Sequence, residues 1–307
     1  MKRSIRRYSI VLVFAVMLVF APGLQAVTAY AADAPAPVKG TLYEKFERYV
    51  TYDWIMITRV VEGGGSSSAV QGIPLTKKDL KEWKQAEKRL RSGKFGKKYA
   101  YQFSRKFYSE IELLGFLDTV VGSKYRYLEL RDCARTRYSP YFAYLRATKR
   151  NKKSLDDYAK KKGSMQKKLD ALYKKEIGPY ESAGKAFRIA LAVNVVDNYF
   201  TYKESGKSNN LVYTVETKKG VCADYSYMLD YLLRKMGLAT KLVSVKNSRE
   251  YHMINALKIS GQWFYMDPTN MDVGKIAFVG NDNVMCFAGS IGGLTSMKNG
   301  WQLRSAY

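Results

Sequence analysis

Residues 217–226 read Thr-Lys-Lys-Gly-Val-Cys-Ala-Asp-Tyr-Ser, and this stretch places Cys222 two residues after a glycine. The only histidine of the 307-residue chain, His252, lies downstream, and residues 263–269 then read Trp-Phe-Tyr-Met-Asp-Pro-Thr around Asp267. Cysteine, histidine and aspartate in this order suit thiol catalysis: a thiolate attacks a carbonyl, an imidazole moves the proton, and a carboxylate orients the imidazole. Cys222, His252 and Asp267 are therefore the candidate catalytic residues.

The apolar spacing after Cys222 predicts a helix over 222–236, with Gly237 as its C-terminal cap. Cys222 then lies at the helix N-terminus, where unpaired backbone N–H groups and the positive end of the dipole favour a thiolate and can stabilise an oxyanion. Gly220 is expected to allow a tight entry and a close approach of the substrate. A buried structural thiol is the alternative for Cys222, and the downstream histidine and aspartate argue against it.

Strands are predicted after this helix, which gives an α+β arrangement with the cysteine helix packed on an antiparallel sheet. They cover 239–246, 251–259 and 262–267. If Ser260-Gly261 is the whole turn between the last two, Ile259 faces Gln262. Asp267 then lies diagonal to His252 on the same face of the sheet. A turn longer by one residue would place Asp267 on the other face.

Some side chains leave alternatives open. Asn255 or Asp272 would orient His252 if the hairpin register differed. Cys133 and Cys286 either form a disulfide in an oxidising compartment or are two unrelated buried thiols. A single histidine excludes the H-E-x-x-H and Cys2His2 zinc sites.

The first 31 residues have the pattern of a secretory signal peptide. A basic start precedes the apolar run 10–21, and Ala29-Tyr30-Ala31 is a small-x-small cleavage site. The apolar run is too short to cross a bilayer as a helix, which needs about 20 residues. Cleavage after Ala31 predicts a secreted or cell-envelope protein, and an uncleaved anchor is the alternative.

Composition divides the rest of the chain into three parts. A Pro/Ala linker covers 32–40, a mainly helical region of unknown role covers 41–180, and the thiol domain covers 181–307. The helical region contains predicted helices at 41–62, from the cap Thr76 onward, at 99–118 and at 154–175, with a flexible Gly/Ser loop at 63–68. The thiol domain begins with a predicted helix over 183–200.

The formal net charge is +25, and 47% of the residues are hydrophobic, which indicates a globular rather than a disordered chain. Lysine runs at 149–153, 160–162 and 167–168 fall on helices whose opposite face is apolar, so a solvated surface is the simplest interpretation. Export argues against a nucleic-acid partner. The charge instead predicts adhesion to anionic envelope polymers.

Taken together, the motifs resemble the transglutaminase-like superfamily over about residues 185–272. The motifs are Thr217–Ser226, Leu229-x-x-Leu232-Leu233-Arg234-x-x-Gly237-Leu238, His252–Asn255 and Gly261–Thr269. The resemblance implies a papain-like fold with Cys222 as nucleophile, His252 as base and Asp267 as orienter, without a metal or other cofactor. Many members carry Ala-Trp-Asn after the histidine and Trp after Asp-Pro-Thr. Met253-Ile254-Asn255 and Asn270 stand there in this chain, so the substrate site is not defined by the resemblance.

The sequence therefore predicts an exported thiol enzyme that acts on amide or peptide bonds of a protein, a peptide or cell-wall peptide through a thioester. Water as the acceptor gives a cysteine peptidase or amidase, and an amine gives a protein-glutamine acyltransferase. The same residues carry acylation in both reactions, and peptidase-like hydrolysis is slightly favoured. The alternative is a non-catalytic envelope-binding module on the same fold.

Overall fold

The computed structural model describes residues 26–28, 35–45, 56–58, 73–129, 135–139, 142–246, 251–259, 262–269, 278–279, 284–285 and 302–307. The helices are α1 Lys77–Arg91, α2 Glu110–Gly122, α3 Lys149–Glu176, α4 Lys185–Tyr199, α5 Leu211–Thr217 and α6 Cys222–Lys235. The strands are β1 Ala26–Thr28, β2 Met56–Thr58, β3 Tyr101–Gln102, β4 Arg135–Ser139, β5 Phe142–Arg146, β6 Thr201–Tyr202, β7 Lys219–Gly220, β8 Thr240–Lys246, β9 Tyr251–Ile259, β10 Gln262–Met266, β11 Phe278–Val279, β12 Val284–Met285 and β13 Gln302–Ala306. None of the helices in these ranges combines the length and apolar character that a membrane crossing requires.

Several predicted features lie outside the described residues. They are most of the signal peptide, the Gly/Ser loop 63–68, Cys133, Asp272 and Cys286.

A four-stranded antiparallel sheet, in the order β10-β9-β8-β13, forms the centre of the C-terminal half. The first three strands confirm the sequence prediction to within one residue at each end. β13 was not predicted, because its partner β8 lies far away in the sequence and no local signal marks that pairing. Cross-strand pairs run from Gln262 opposite Ile259 to Met266 opposite Asn255, which confirms the predicted register.

Helix α6 confirms the predicted cysteine helix. Gly237 adopts φ +77° after it, and the Gly237 N–H donates to the Arg234 carbonyl at 2.9 Å. The Leu238 N–H donates to the Leu233 carbonyl at 3.0 Å, which completes a C-terminal capping motif. On the sheet side, the Ser226 hydroxyl donates to the Met253 carbonyl at 2.8 Å and fixes the helix against β9.

The N-terminal region contains helices and a small sheet. Thr76 caps α1 as predicted, since its side chain accepts from the Asp79 N–H and the Asp79 carboxylate accepts from the Thr76 N–H. The lysine-rich helix α3 buries the apolar positions Leu155, Tyr158 and Leu169 and exposes most of its lysines, as its pattern predicts.

Two helix predictions in this region were partly wrong. The predicted helix 99–118 begins only at residue 110, and residues 101–102 instead form β3 in the three-stranded sheet β3-β5-β4. The aromatic residues Tyr101 and Phe103 are both buried, and such spacing fits a strand as well as a helix. Of the predicted helix 41–62, residues 42–45 are helical, whereas 56–58 pair with 26–28 as a strand.

Buried polar contacts join the N-terminal helices to the sheet and to α6. Ser305 of β13 donates to the Asp118 carboxylate of α2 at 3.1 Å. The Arg126 guanidinium binds both oxygens of Asp230 on α6, at 2.7 and 2.9 Å. Because Asp230 is fully buried, this charge-assisted pair fixes the position of α6 relative to the preceding helices.

Candidate active site

His252 and Asp267 form a buried pair on neighbouring strands. Nε2 of His252 lies 2.8 Å from Oδ2 of Asp267, whose residue is fully buried. The other carboxylate oxygen, Oδ1, accepts from the Thr269 hydroxyl at 2.7 Å and from the Thr269 N–H at 3.0 Å. The carboxylate is therefore held from both sides, and the predicted diagonal arrangement of the hairpin is confirmed.

Cys222 meets this pair from the helix side. It is the first residue of α6, its side chain is partly exposed, and it lines the same small cavity as His252, whose pKa it helps to raise. Because Nε2 of His252 is bound to Asp267, Nδ1 is the ring nitrogen left for the sulfur. The structure thus brings the three sequence-predicted residues together, with the imidazole between the cysteine and the carboxylate.

The charges of His252 and Asp267 stabilise each other. Burial lowers the pKa of His252, but the charge and hydrogen bond of Asp267 and the interaction with Cys222 outweigh it, so the pKa stands well above the usual 6.5. Burial raises the pKa of Asp267, but the charge of His252 and the hydrogen bonds from His252 and Thr269 bring it below the usual 3.8. At neutral pH the pair is an imidazolium beside a carboxylate.

A second buried carboxylate, Asp224, fixes the start of α6. Its Oδ2 accepts from the N–H groups of Val221 and Asn209, both at 3.0 Å, and its Oδ1 accepts from the Thr214 hydroxyl at 3.1 Å. Burial raises the pKa of Asp224 to about 7, although these hydrogen bonds oppose the shift. Asp224 therefore ties the loop before α5 to the turn that presents Cys222.

Gly220 leaves room for this carboxylate, and the expected approach of a substrate at Gly220 stays a prediction. A Cβ at position 220 would lie 2.8 Å from the Cβ of Asp224, closer than real Cβ atoms come. Strand β7, which contains Gly220, pairs in parallel with β6 and sets the direction in which the chain enters α6. The glycine is needed because the Asp224 side chain occupies the space beside it.

A small cavity lies beside the Cys222 sulfur. It is lined by Glu129, Asn209, Cys222, Ala223, Ser244, Tyr251, His252 and Met253, and its volume is about 10 Å³. That volume is close to the minimum that holds one water molecule. The cavity can accept one oxygen atom but not a substrate side chain.

One of the alternative orienting groups, Asn255, binds the helix instead. The Asn255 amide donates to the Ser226 carbonyl of α6 at 2.9 Å, so it anchors the helix to β9. Asp272 lies outside the described residues. Within the described part of the chain, no group of three or more His, Cys, Asp or Glu side chains is placed to hold a metal ion.

Sequence reasoning missed three residues of this site. Asp224 stood in the quoted motif, where an acidic residue in the first helical turn is a capping signal. Thr269 stood in the quoted stretch around Asp267, but its two hydrogen bonds to Asp267 were not anticipated. Asn209 lies in a polar loop, and nothing in its neighbourhood marked it as a residue of the cavity.

Comparison with known proteins supports the resemblance drawn from the motifs. Residues 171–268 match the family model described as the transglutaminase-like superfamily. No curated protein matches the chain.

Solved structures give weak matches. The chain is similar to a candidate cysteine protease from Cytophaga hutchinsonii, at 15% identity over 57% of this chain and 66% of that chain, with a TM-score of 0.32. It is similar to a structure described as a TGase, at 12% identity over 70% of this chain and 61% of that chain, with a TM-score of 0.31. The calcium-bound LapG of Legionella pneumophila matches at 15% identity over 48% of this chain and 92% of that chain, with a TM-score of 0.25. The chain spans less than two thirds of the first two structures.

Proposed function

We propose that this chain is an exported thiol enzyme that attacks amide or peptide carbonyls through Cys222, His252 and Asp267. One observation carries the proposal: the only histidine of the sequence binds a fully buried carboxylate and lines one small cavity with the cysteine at a helix N-terminus. The superfamily match over residues 171–268 supports it. The substrate class is a protein or a peptide, with cell-wall peptide as a candidate.

In the first half of the reaction, the sulfur of Cys222 attacks the carbonyl carbon. The proton of the Cys222 thiol is held by His252. The buried Asp267 stabilises the imidazolium and keeps the ring oriented. His252 then gives the proton to the departing amine as the C–N bond breaks. A thioester between the acyl group and Cys222 remains.

In the second half, an acceptor attacks the thioester while His252 removes its proton. Water releases a carboxylic acid, and a primary amine forms a new amide. In both cases the C–S bond breaks and the sulfur of Cys222 is restored. The three residues do the same work for either acceptor, and we favour water, which makes the protein a peptidase or amidase.

The test is incubation of the full chain with a glutamine-bearing protein, with and without a primary amine, followed by mass spectrometry. Peptide cleavage or deamidation identifies hydrolysis, whereas an amine adduct identifies transamidation. The Cys222→Ala variant is the control in each reaction. Product that forms equally with this variant would contradict the proposal.

A second role, binding of anionic polymers, is favoured by a basic groove beside the end of α1. The groove encloses about 570 Å³, and its lining includes Lys88, Arg89, Lys94 and Lys98, with no acidic residue among the described residues that line it. The amino groups of Lys94 and Lys98 approach one ring, that of Tyr99, at 5.8 and 5.1 Å from its centroid. Several cations around one groove favour a polyanion, because their potentials add.

This role is tested by cosedimentation with polyphosphate beads at two salt concentrations. The variant Lys88→Gln/Lys94→Gln/Lys98→Gln is expected to lose binding at least about 10-fold, since it removes three charges from the groove. The matched control, Lys160→Gln/Lys162→Gln/Lys167→Gln, removes the same charge from exposed positions of α3. Equal losses in both variants would mean that the protein binds through its overall positive charge and that the groove has no special role.

A further inference from the structure

The N-terminus of α6 holds unused hydrogen-bond donors beside the thiol. Cys222 and Ala223 are the first two residues of the helix, so their N–H groups have no acceptor within it. No acceptor for either N–H is found in the described part of the chain. Both residues line the cavity of about 10 Å³ next to His252.

An unused side-chain amide, that of Asn209, lines the same cavity. Only 5% of Asn209 is exposed, yet its Oδ1 has no hydrogen-bond partner within the described residues. A buried amide without a partner is costly, by about 1–3 kcal/mol, and therefore calls for an explanation. The oxygen and nitrogen of an amide have nearly the same shape, so the NH₂ group can face the cavity without any rearrangement.

The backbone of Asn209 is fixed from two directions. Its carbonyl accepts from the Glu129 N–H at 3.0 Å, and its N–H donates to Asp224 at 3.0 Å. Because Asp224 also binds the N–H of Val221, one carboxylate sets the position of Asn209 relative to the first turn of α6. The amide is therefore held in place beside the thiol before a substrate arrives, as electrostatic stabilisation requires.

We propose that the Asn209 amide and the backbone N–H groups at the start of α6 form the oxyanion-binding site for acylation of Cys222. This inference rests on the proposed function. As the sulfur attacks, the carbonyl oxygen gains negative charge, enters the one-oxygen cavity and accepts hydrogen bonds from these donors. Asn209 is then a catalytic residue, since it touches the reacting oxygen.

One group in the cavity opposes this charge. Glu129 is 6% exposed and lines the same cavity, so a carboxylate there repels a developing oxyanion. Replacing it with glutamine removes the repulsion. Glu129→Gln is therefore expected to raise the acylation rate.

The backbone offers a competing explanation for asparagine at this position. Asn209 adopts φ +65°, a left-handed conformation that asparagine tolerates better than most residues. Glycine adopts this conformation without strain but has no amide. Asn209→Gly therefore separates a role of the side chain from a role of the backbone.

The experiment compares two reactions of Cys222 in the full chain. Acylation by p-nitrophenyl acetate passes through a tetrahedral oxyanion, whereas alkylation by iodoacetamide forms the C–S bond with loss of iodide and no oxyanion. Asn209→Gly is expected to slow acylation about 100-fold, the loss typical for one oxyanion donor, and to leave alkylation within about twofold. Asn209→Asp, which keeps the shape of the side chain but replaces the NH₂ group, is also expected to slow acylation. Asn210→Asp is the matched control: it introduces a carboxylate at the neighbouring position, which caps α5 and does not line the cavity.

Acylation within threefold of wild type in both Asn209 variants would overturn the inference while leaving the thiol mechanism intact. An equal loss of acylation and alkylation would also overturn it, because Asn209 would then only hold the fold. A loss of acylation in Glu129→Gln as large as in Asn209→Gly would assign the effect to the carboxylate instead. Failure of the proposed function gives a different result: wild-type Cys222 would not be acylated at all.

Discussion

Two buried aspartates flank Cys222, and they differ in what they face. Asp267, on the strand side, faces the imidazolium of His252, and its pKa falls below the usual value. Asp224, on the helix side, is bound by N–H and O–H groups, and burial, together with the negative charge of Glu129, raises its pKa to about 7. Both are fully buried, so burial alone does not decide the direction of the shift.

The difference separates a chemical role from a positional one. A carboxylate that faces a cation stays charged and can stabilise that cation during a reaction. A carboxylate that faces neutral donors fixes backbone groups and can do so as an amide of the same shape. We therefore expect Asp267 to be needed for turnover and Asp224 to be needed for the geometry around Cys222.

Of the two aspartates, Asp267 is expected to give the larger loss of turnover when it is replaced, in the variant Asp267→Asn. The amide cannot stabilise an imidazolium and favours the wrong ring tautomer, a change that lowers turnover roughly 10⁴-fold in a serine-protease triad. A smaller loss, on the order of 10²–10³, is expected here by analogy, because a cysteine–histidine pair can rest as an ion pair. Steady-state turnover on an amide substrate measures it. Wild-type activity would mean that Asp267 only supports the hairpin.

Asp224→Asn is expected to change the pH dependence of stability and to leave turnover within about tenfold of the wild-type value. Between pH 4 and 7 the folded protein keeps a proton on Asp224 that the unfolded chain has released. Stability therefore falls as pH rises through this window, by up to about 1.4 kcal/mol per pH unit from this group. The asparagine variant lacks this group, so its slope should be flatter.

Urea unfolding of the wild type and Asp224→Asn at pH 4.5, 5.5 and 6.5 measures this difference. The contributions of Asp267, whose pKa is lowered, and of His252, whose pKa is raised, are the same in both proteins, so they cancel from the difference between the two slopes. Parallel slopes for the two proteins would show that Asp224 is ionised throughout.

A smaller effect than that of Asp267→Asn is expected from Thr269→Val, which removes one hydrogen bond to Asp267 and keeps the one from the backbone N–H. Turnover should fall roughly 10-fold, as for the loss of one hydrogen bond to a charged group. The pKa of Asp267 should rise, so activity should be lost at a higher pH on acidification. A pH–rate profile identical to that of the wild type would assign Thr269 a structural role.

The strand side of the site was predictable from the sequence, and the helix side was only partly so. Hairpin parity placed Asp267 beside His252, because a two-residue turn fixes the register of every pair that follows. The position of Asn209 was not predictable, since it depends on a loop that Asp224 holds through contacts across the fold. The same limit explains why β13 was not predicted, since its pairing with β8 is non-local. For β3 the reason is different: its aromatic spacing fits either a helix or a strand.

The central claim is that the thiol of Cys222 is the nucleophile, and turnover by Cys222→Ala tests it most directly. The substitution removes one atom from a partly exposed side chain at the start of α6, so the unfolding midpoint should move little. Covalent catalysis needs the sulfur, so turnover on the amide substrate should fall to the background rate. A folded Cys222→Ala protein that retains activity within tenfold of the wild type would contradict the account.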